Sequence, residues 1–271
     1  MTKMPLLFIG HGSPLNALED NEYTRNWKRI AAALPKPAAI LAVSAHWYTD
    51  GTRINDARHP KTIYDMYGFP KELYEISYPA PGAPELAHHT RSLIQTGVAI
   101  DNNWGYDHGA WVVLHGMYPQ ADIPVSQLSV DANAGAAAHF EIGKRLAPLR
   151  EKGVLILGSG NIVHNLSRVN FSMDGGYGWA GEFDNYIKDR IMQGAYRDVM
   201  DYRQAGPAAA LAVPTPDHFD PLLYILGAAD GADQVAVLND SCIYGSLSMT
   251  CYILTNGIPF ENTENRPNPK K

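Results

Sequence analysis

Four of the chain's ten histidines stand where an apolar run gives way to glycine, serine, asparagine or proline, a setting in which imidazoles can hold a metal ion. They are His11 in Gly10-His11-Gly12-Ser13-Pro14, His46 in Ser44-Ala45-His46-Trp47, His164 in Gly160-Asn161-Ile162-Val163-His164-Asn165, and His218 in Pro214-Thr215-Pro216-Asp217-His218. Imidazole is the commonest metal ligand, and loops at the C-terminal edge of a sheet let a rigid scaffold gather ligands from distant parts of a chain. The intervals between the four are long, so the fold must assemble the site. A zinc finger differs, since its ligands come in close pairs.

The other histidines separate by context. His88 and His89 are neighbours on a helical stretch and point different ways, so at least one is solvated. His139 on an alanine-rich helix and His59 before a proline fit ordinary structural positions, and His115 beside Leu114 reads as packed. His108, in Trp104-Gly105-Tyr106-Asp107-His108-Gly109, stands apart, with an acid beside it and glycines near it on both sides. It can project into the same cleft as the first four.

The elements that must position these residues alternate. Pro5 to Gly10, Ala38 to Ala45, Val98 to Asp101, Ile123 to Val130 and Val154 to Gly158 are short apolar runs without polar alternation, the signature of strands buried on both faces. Between them Tyr23 to Leu34, Ala83 to Gln95, Ala110 to Met117 and Ala134 to Arg150 have helical character. The fold class expected is therefore α/β: one domain, a mostly parallel central sheet flanked by helices on both faces, and the metal site at the C-terminal edge of the strands. The strands ending at His11 and His46 are expected to be neighbours.

Later in the chain, helices are predicted at Trp179 to Met192 and Ala195 to Gln204, and a third is opened by Asp220 as N-cap and Pro221 as first helical residue. Gln234 to Leu238 and Ser246 to Leu254 read as closing strands. The segment from His59 to Pro84 is long, irregular and rich in tyrosine and proline, either a surface loop pinned by its own aromatics or a lid and substrate wall. A catalytic domain over 1–260 and a disordered polar tail over 261–271 complete the expectation.

Composition narrows the partners. With 271 residues, 45% hydrophobic and 18% charged, the chain can build a full core. A net charge of −6 and no basic run argue against nucleic acid or an anionic membrane and for a small-molecule substrate. No stretch approaches the roughly 18 apolar residues of a membrane helix, and the apolar run before His11 is too short for a signal peptide. Cys242 and Cys251, if they share one strand, face opposite ways and do not bridge. A reduced cytoplasmic protein, a monomer or small homo-oligomer, is expected.

Taken in order, the five histidine motifs resemble the class III extradiol ring-cleaving dioxygenases over roughly residues 5 to 255, most closely the 4,5-DOPA dioxygenase extradiol group. The resemblance implies one divalent non-haem metal per chain, Fe(II) when active, and opening of a catechol such as L-DOPA by O2 to a hydroxymuconic semialdehyde. It implies His11 and His46 as ligands, and it sets His218 near the position of a carboxylate in the usual two-His-one-carboxylate triad, with Asp217 beside it as a substitute. A set of three or four imidazoles also suits Zn(II). His164 matches the acid–base histidine, either as that group or as a resting ligand, with His108 assisting. Ser13 and Asn165 are candidate supporting donors, and Asp107 or Arg168 could meet the charged ends of L-DOPA. The same residues allow two other kinds of protein: a zinc hydrolase with Asp217 as base, or a non-catalytic metal-binding relative.

Overall fold

The computed structural model describes residues 3–95 and 97–257, so the expected tail and the end of the expected 1–260 domain lie outside the described residues. The apolar runs become strands β1 (Leu6–Gly10), β2 (Ala39–Thr49), β3 (Arg53–Ile54), β4 (Ala99–Ile100), β5 (Val125–Asp131) and β6 (Val154–Gly160), followed by β7 (Gln234–Leu238), β8 (Cys242–Ile243), β9 (Leu247–Ser248) and β10 (Cys251–Thr255). The helices are α1 (Glu22–Ala33), α2 (Pro84–Ile94), α3 (His108–Met117), α4 (Ala136–Leu146), α5 (Gly178–Met192), α6 (Tyr196–Met200), α7 (Pro207–Ala212) and α8 (Asp220–Ala228). Among the described residues no helix is long and apolar enough to cross a membrane.

Eight strands form one sheet in the order β4-β3-β5-β2-β6-β1-β10-β7. Its centre, β5-β2-β6-β1, is parallel throughout, and antiparallel pairs appear where β3 meets β5 and where β10 joins β1 and β7. Alternate side chains of the buried strands feed two cores. Leu6, Phe8, Leu41, Val43 and Ile156 pack with α2, α4, α5 and α8 on one face. Leu7, Ile9, Ile40, Ala42 and Leu157 pack with Trp27 and Ile30 of α1 and with α3 on the other. The sheet is thus covered on both sides, as the unalternating runs imply.

Several local expectations are corrected. The strands of His11 and His46 are not neighbours, because β6 lies between them and pairs with both. Nor does the second strand stop before His46: β2 continues through Trp47 and Tyr48 to Thr49, its pairing to β5 shifting register between Val43 and Tyr48. Aromatic residues favour a pleated, half-buried surface, and that outweighs the break suggested by Ser44. The stretch Ser246 to Leu254 divides into β9 and β10. Cys242 and Cys251 accordingly sit on different strands, both buried and free. Asp220 is the first residue of α8 and not its cap; its carboxylate lies 3.5 Å from Nδ1 of buried His139.

One buried cation joins the layers below the functional edge. Arg150 donates through Nε to the Met4 carbonyl at 2.8 Å and through its guanidinium to the Ala228 carbonyl at 3.2 Å, and it grips Asp233 with two bonds of 2.6 Å. Both side chains are buried, so losing one partner strands a charge in a place water does not reach. Arg150→Ala should lower unfolding stability by about 3–5 kcal/mol, and Arg150→Lys should recover only part of it because an ammonium lacks the fork. Urea unfolding of the two variants checks this, and a loss below about 1 kcal/mol for Arg150→Ala would contradict it.

Candidate metal centre

The C-terminal ends of the parallel strands deliver the histidines. His11 follows β1 and donates its backbone N–H to the Gly160 carbonyl at 3.1 Å, across the end of β6. The loop before α8 is fastened to the same place: Asn161 N–H donates to the His218 carbonyl at 2.9 Å. A Cβ on Gly160 would lie 2.1 Å from that carbonyl oxygen, so glycine is required for the close approach. Gly109 serves α3 likewise, since a Cβ there would lie 2.7 Å from the His46 ring. His164 is set by an antiparallel bridge to Leu247 and by a bond from its N–H to the Ala212 carbonyl at 2.9 Å.

One donor atom each from His11, His46 and His218 lies within 4.8 Å of the other two. The partners of the outer nitrogens fix the tautomers. Asp217 accepts from Nδ1 of His218, and the Asp65 carboxylate lies 3.3 Å from Nδ1 of His46. His11 Nδ1 meets Ser159 Oγ at 2.9 Å, and because that hydroxyl already donates to the Gly109 carbonyl at 2.5 Å it must accept here. These partners favour hydrogen on Nδ1 and a lone pair on Nε2 in all three imidazoles. Nε2 of His11 and of His46 are 3.2 Å apart. Nε2 of His218 is buried and has no hydrogen-bond partner.

Two lone pairs that close repel unless a cation lies between them. The spacing matches nitrogens sharing one ion at about 2.0–2.1 Å in tetrahedral geometry, which sets them roughly 3.4 Å apart. An oxygen acceptor on the far nitrogen of each imidazole is the arrangement that orients metal-bound histidines. The residues thus fit a divalent metal, which Fe(II) or Zn(II) would satisfy.

Electrostatics agrees. Burial first, then the neighbouring imidazoles, push His11 and His218 well below the ordinary histidine value. Burial and then His108 bring His46 to about 3 against the pull of Asp65, and burial brings His164 to about 4 with Asp217 opposing. Burial works against the Asp65 charge too, yet the bonds it accepts from His108 and the fields of His108 and His46 hold its carboxyl below the usual range.

His164 is placed differently from the other three. Its ring lies face to face on His218, centroids 3.4 Å apart and planes within 5°, and its donor atom groups with Asp217 and His218 and not with His11 and His46. His108 opens α3, sets its ring centroid 3.7 Å from that of His46 with the planes tilted by 45°, and brings Nδ1 3.0 Å from Asp65. These five histidines line one cleft of about 370 Å³ together with Ser13, Asp65, Met66, Tyr67, Phe69, Leu166, Phe171 and Tyr244. Of the segment from His59 to Pro84, Asp65, Met66, Tyr67 and Phe69 thus form part of the cleft lining.

Other sequence candidates go elsewhere. Asp107 is fully buried, accepting from Ser44 Oγ at 2.6 Å, Trp104 Nε1 at 3.2 Å, Gln127 and the Ala110 N–H of its own helix. It anchors α3 and cannot meet a substrate. Asn165 is spent on Ser167 and on the Leu211 carbonyl, and Arg168 is exposed and outside the cleft lining. Ser13, by contrast, does line the cleft, its Oγ accepting from Leu15 N–H at 3.2 Å. His115 lies in a separate groove of about 600 Å³ beside α1. Sequence reasoning missed Asp65 and Ser159. Gly158-Ser159-Gly160-Asn161 reads as a turn, but its first three residues form the end of β6, and nothing local distinguishes Asp65 among its tyrosines.

An α/β sheet whose strand ends gather neutral imidazoles, each held from behind by an oxygen, defines a non-haem metal enzyme. The family described as the catalytic LigB subunit of aromatic ring-opening dioxygenase matches residues 5–255, and the chain belongs to that family. It is similar to the 4,5-DOPA dioxygenase extradiol of Escherichia coli strain K12, 47% identical over 92% of this chain and 93% of that protein. The 4,5-DOPA dioxygenase extradiol of Beta vulgaris is 39% identical over 92% and 96%. A crystal structure of an uncharacterized Escherichia coli K12 protein superposes with a TM-score of 0.81 at 43% identity, covering 93% of this chain and 99% of that one. The chain is thus a dioxygenase by family, an oxidoreductase class that implies a small-molecule substrate and O2.

Two outcomes follow from the buried imidazoles. Unfolded histidines take up protons near pH 6.5 while these stay neutral when folded, so the unfolded state binds more protons and stability falls as pH drops below about 6.5. His46, held at about 3, should contribute about 1.4 kcal/mol per pH unit over most of that range, and His11 and His218, lowered in the same way by burial, should add to the loss in the same direction. Denaturant midpoints of metal-free protein from pH 7.5 to 4.5 measure this, and a flat profile would contradict it. Asp65→Ala should weaken metal binding about 10–100-fold in a chelator competition, with circular dichroism unchanged.

Proposed function

We propose that the chain is an extradiol dioxygenase that opens a catechol beside its hydroxyl pair to give a hydroxymuconic semialdehyde, with L-DOPA as substrate. One divalent metal per chain is held by His11, His46 and His218, Fe(II) in the active enzyme, and Zn(II) suits the same three imidazoles in isolated protein. The observation that carries this reading is the approach of Nε2 of His11 and Nε2 of His46 to 3.2 Å in the lining of an open cleft, with His218 beside them. The relatives named for 4,5-DOPA support the substrate. We also infer catalysis without a nucleic-acid or membrane partner, from the acidic net charge, and a cytoplasmic location, from two cysteines that are buried and free.

A divalent metal held by His11, His46 and His218 would supply Lewis acidity that lowers the pKa of a catechol hydroxyl and the chemistry that engages O2. The chain's own residues manage protons and shape. Neutral His164, in the cleft wall beside the ligands, takes the proton the catechol gives up and returns it as the ring opens. His108 is the second proton group, and Asp65 fixes it, one carboxylate oxygen lying 3.0 Å from Nδ1 and the other accepting from the His108 backbone N–H at 2.9 Å. His164 acts in this role and not as a fourth ligand, because its donor atom does not group with His11 and His46. A zinc hydrolase would need a carboxylate free to act as base in the cleft. Asp217 is outside the lining and engaged by His218, and Asp65 is shared by two histidines.

Metal-free protein loaded anaerobically with Fe(II), then given L-DOPA and air, should consume O2 in step with a yellow ring-opened product. His164→Ala should keep its metal and lose turnover by about 10²–10⁴-fold. Full cleavage by that variant would remove the acid–base role, and no O2 uptake with any catechol by iron-loaded wild type would remove the dioxygenase reading.

A further inference from the structure

The mouth of the cleft is built from large apolar side chains left in the open. Tyr67 is 92% exposed, Phe171 79% and Leu166 67%, which is costly in water and marks surfaces that meet a ligand. The patch is not a loose loop. The backbone around Phe171 is laced to Tyr244 and Gly245: Asn170 N–H donates to the Tyr244 carbonyl at 2.9 Å, Tyr244 N–H to the Met173 carbonyl at 3.1 Å, and Tyr177 N–H to the Gly245 carbonyl at 2.7 Å. Tyr244 itself is held at φ +52°, a left-handed conformation that costs an aromatic residue energy and persists only where its surroundings enforce it. Its ring meets Phe171 with centroids 5.4 Å apart.

Charge is as telling as shape. Among the described residues no lysine or arginine lines this cleft, and its one carboxylate, Asp65, faces His46 and His108. A substituent on the catechol ring away from the hydroxyl pair points from the histidines toward the mouth, where it meets aromatic faces and no fixed cation. Aromatic faces attract apolar groups and ammonium ions, whereas a carboxylate pressed against them loses water and gains no partner.

Resting on the dioxygenase reading, we propose that Tyr67, Phe171 and Tyr244 form a substituent subsite selecting catechols whose side chain is uncharged or cationic, and that the site does not recognise a substrate carboxylate. A carboxylate tolerated at the end of a flexible chain, as in L-DOPA, remains in solvent; one fixed directly on the ring is disfavoured.

The test uses the Fe(II)-loaded full chain, with anaerobic calorimetry of 4-methylcatechol, dopamine, L-DOPA and 3,4-dihydroxybenzoate, followed by O2 uptake on the same ligands. 4-Methylcatechol and dopamine should bind about tenfold or more tighter than 3,4-dihydroxybenzoate, and dopamine should match L-DOPA within about threefold. Phe171→Ala, at an exposed position where folding is not at stake, should shrink the preference for 4-methylcatechol over 3,4-dihydroxybenzoate. Equal binding of the acid and the methyl compound would overturn the proposal. So would an Arg168→Ala variant that weakens L-DOPA and spares dopamine, because that exposed arginine would then be the carboxylate's partner. Selective binding without O2 uptake would sink the dioxygenase reading and keep the subsite, while O2 uptake without selectivity would do the reverse.

Discussion

Two imidazole nitrogens with their lone pairs turned toward each other, on His11 and His46, are the constraint around which the rest of the site is arranged. Left alone, such a pair would separate or take up a proton. Burial makes the second route costly, since a charged imidazole under this sheet edge would be stripped of water. The first is opposed by the bond of His11 to Ser159 and by the Asp65 carboxylate 3.3 Å from Nδ1 of His46. A cation is what remains to reconcile the two rings, and His218 brings a third unpartnered nitrogen to the same place.

The scaffold supplies this arrangement through strand order. With β6 between β1 and β2, the ligand after β1 and the ligand within β2 reach over an intervening strand, whose own end carries Ser159 beneath them. Gly160 lets the His218 loop come down onto that end. Asp107 draws together Ser44, Gln127 and the start of α3, so the strand before His46 and the helix headed by His108 are fixed against each other. One buried carboxylate thus positions two functional histidines from behind without entering the cleft.

Much of this was legible in the chain. The alternation of apolar runs and helical segments gives the layered architecture, because a strand buried on both faces has no polar alternation to hide. The histidines show themselves because each ends or interrupts such a run beside a turn-forming residue. What could not be read are pairings between distant segments. Nothing near Asp65 announces that it will stand between His46 and His108, and Asp107, adjacent to His108, looked the better candidate until burial removed it from the surface. The adjacency of β1 and β2 failed for the same reason: order in a sheet is decided by the packing of the helices that connect the strands, and neighbouring positions in sequence do not encode it. The small strands β3, β8 and β9 are too short for periodicity to reveal.

The most direct test of the account is a crystal structure of the protein loaded anaerobically with Fe(II), with anomalous scattering used to locate the metal. The account predicts a single strong peak about 2.0–2.3 Å from Nε2 of each of His11, His46 and His218, with open positions toward the cleft and Asp65, Ser159 and Asp217 still holding the outer nitrogens. A metal bound instead between His164 and Asp217, or one that leaves the His11 and His46 nitrogens facing each other unbridged, would contradict it.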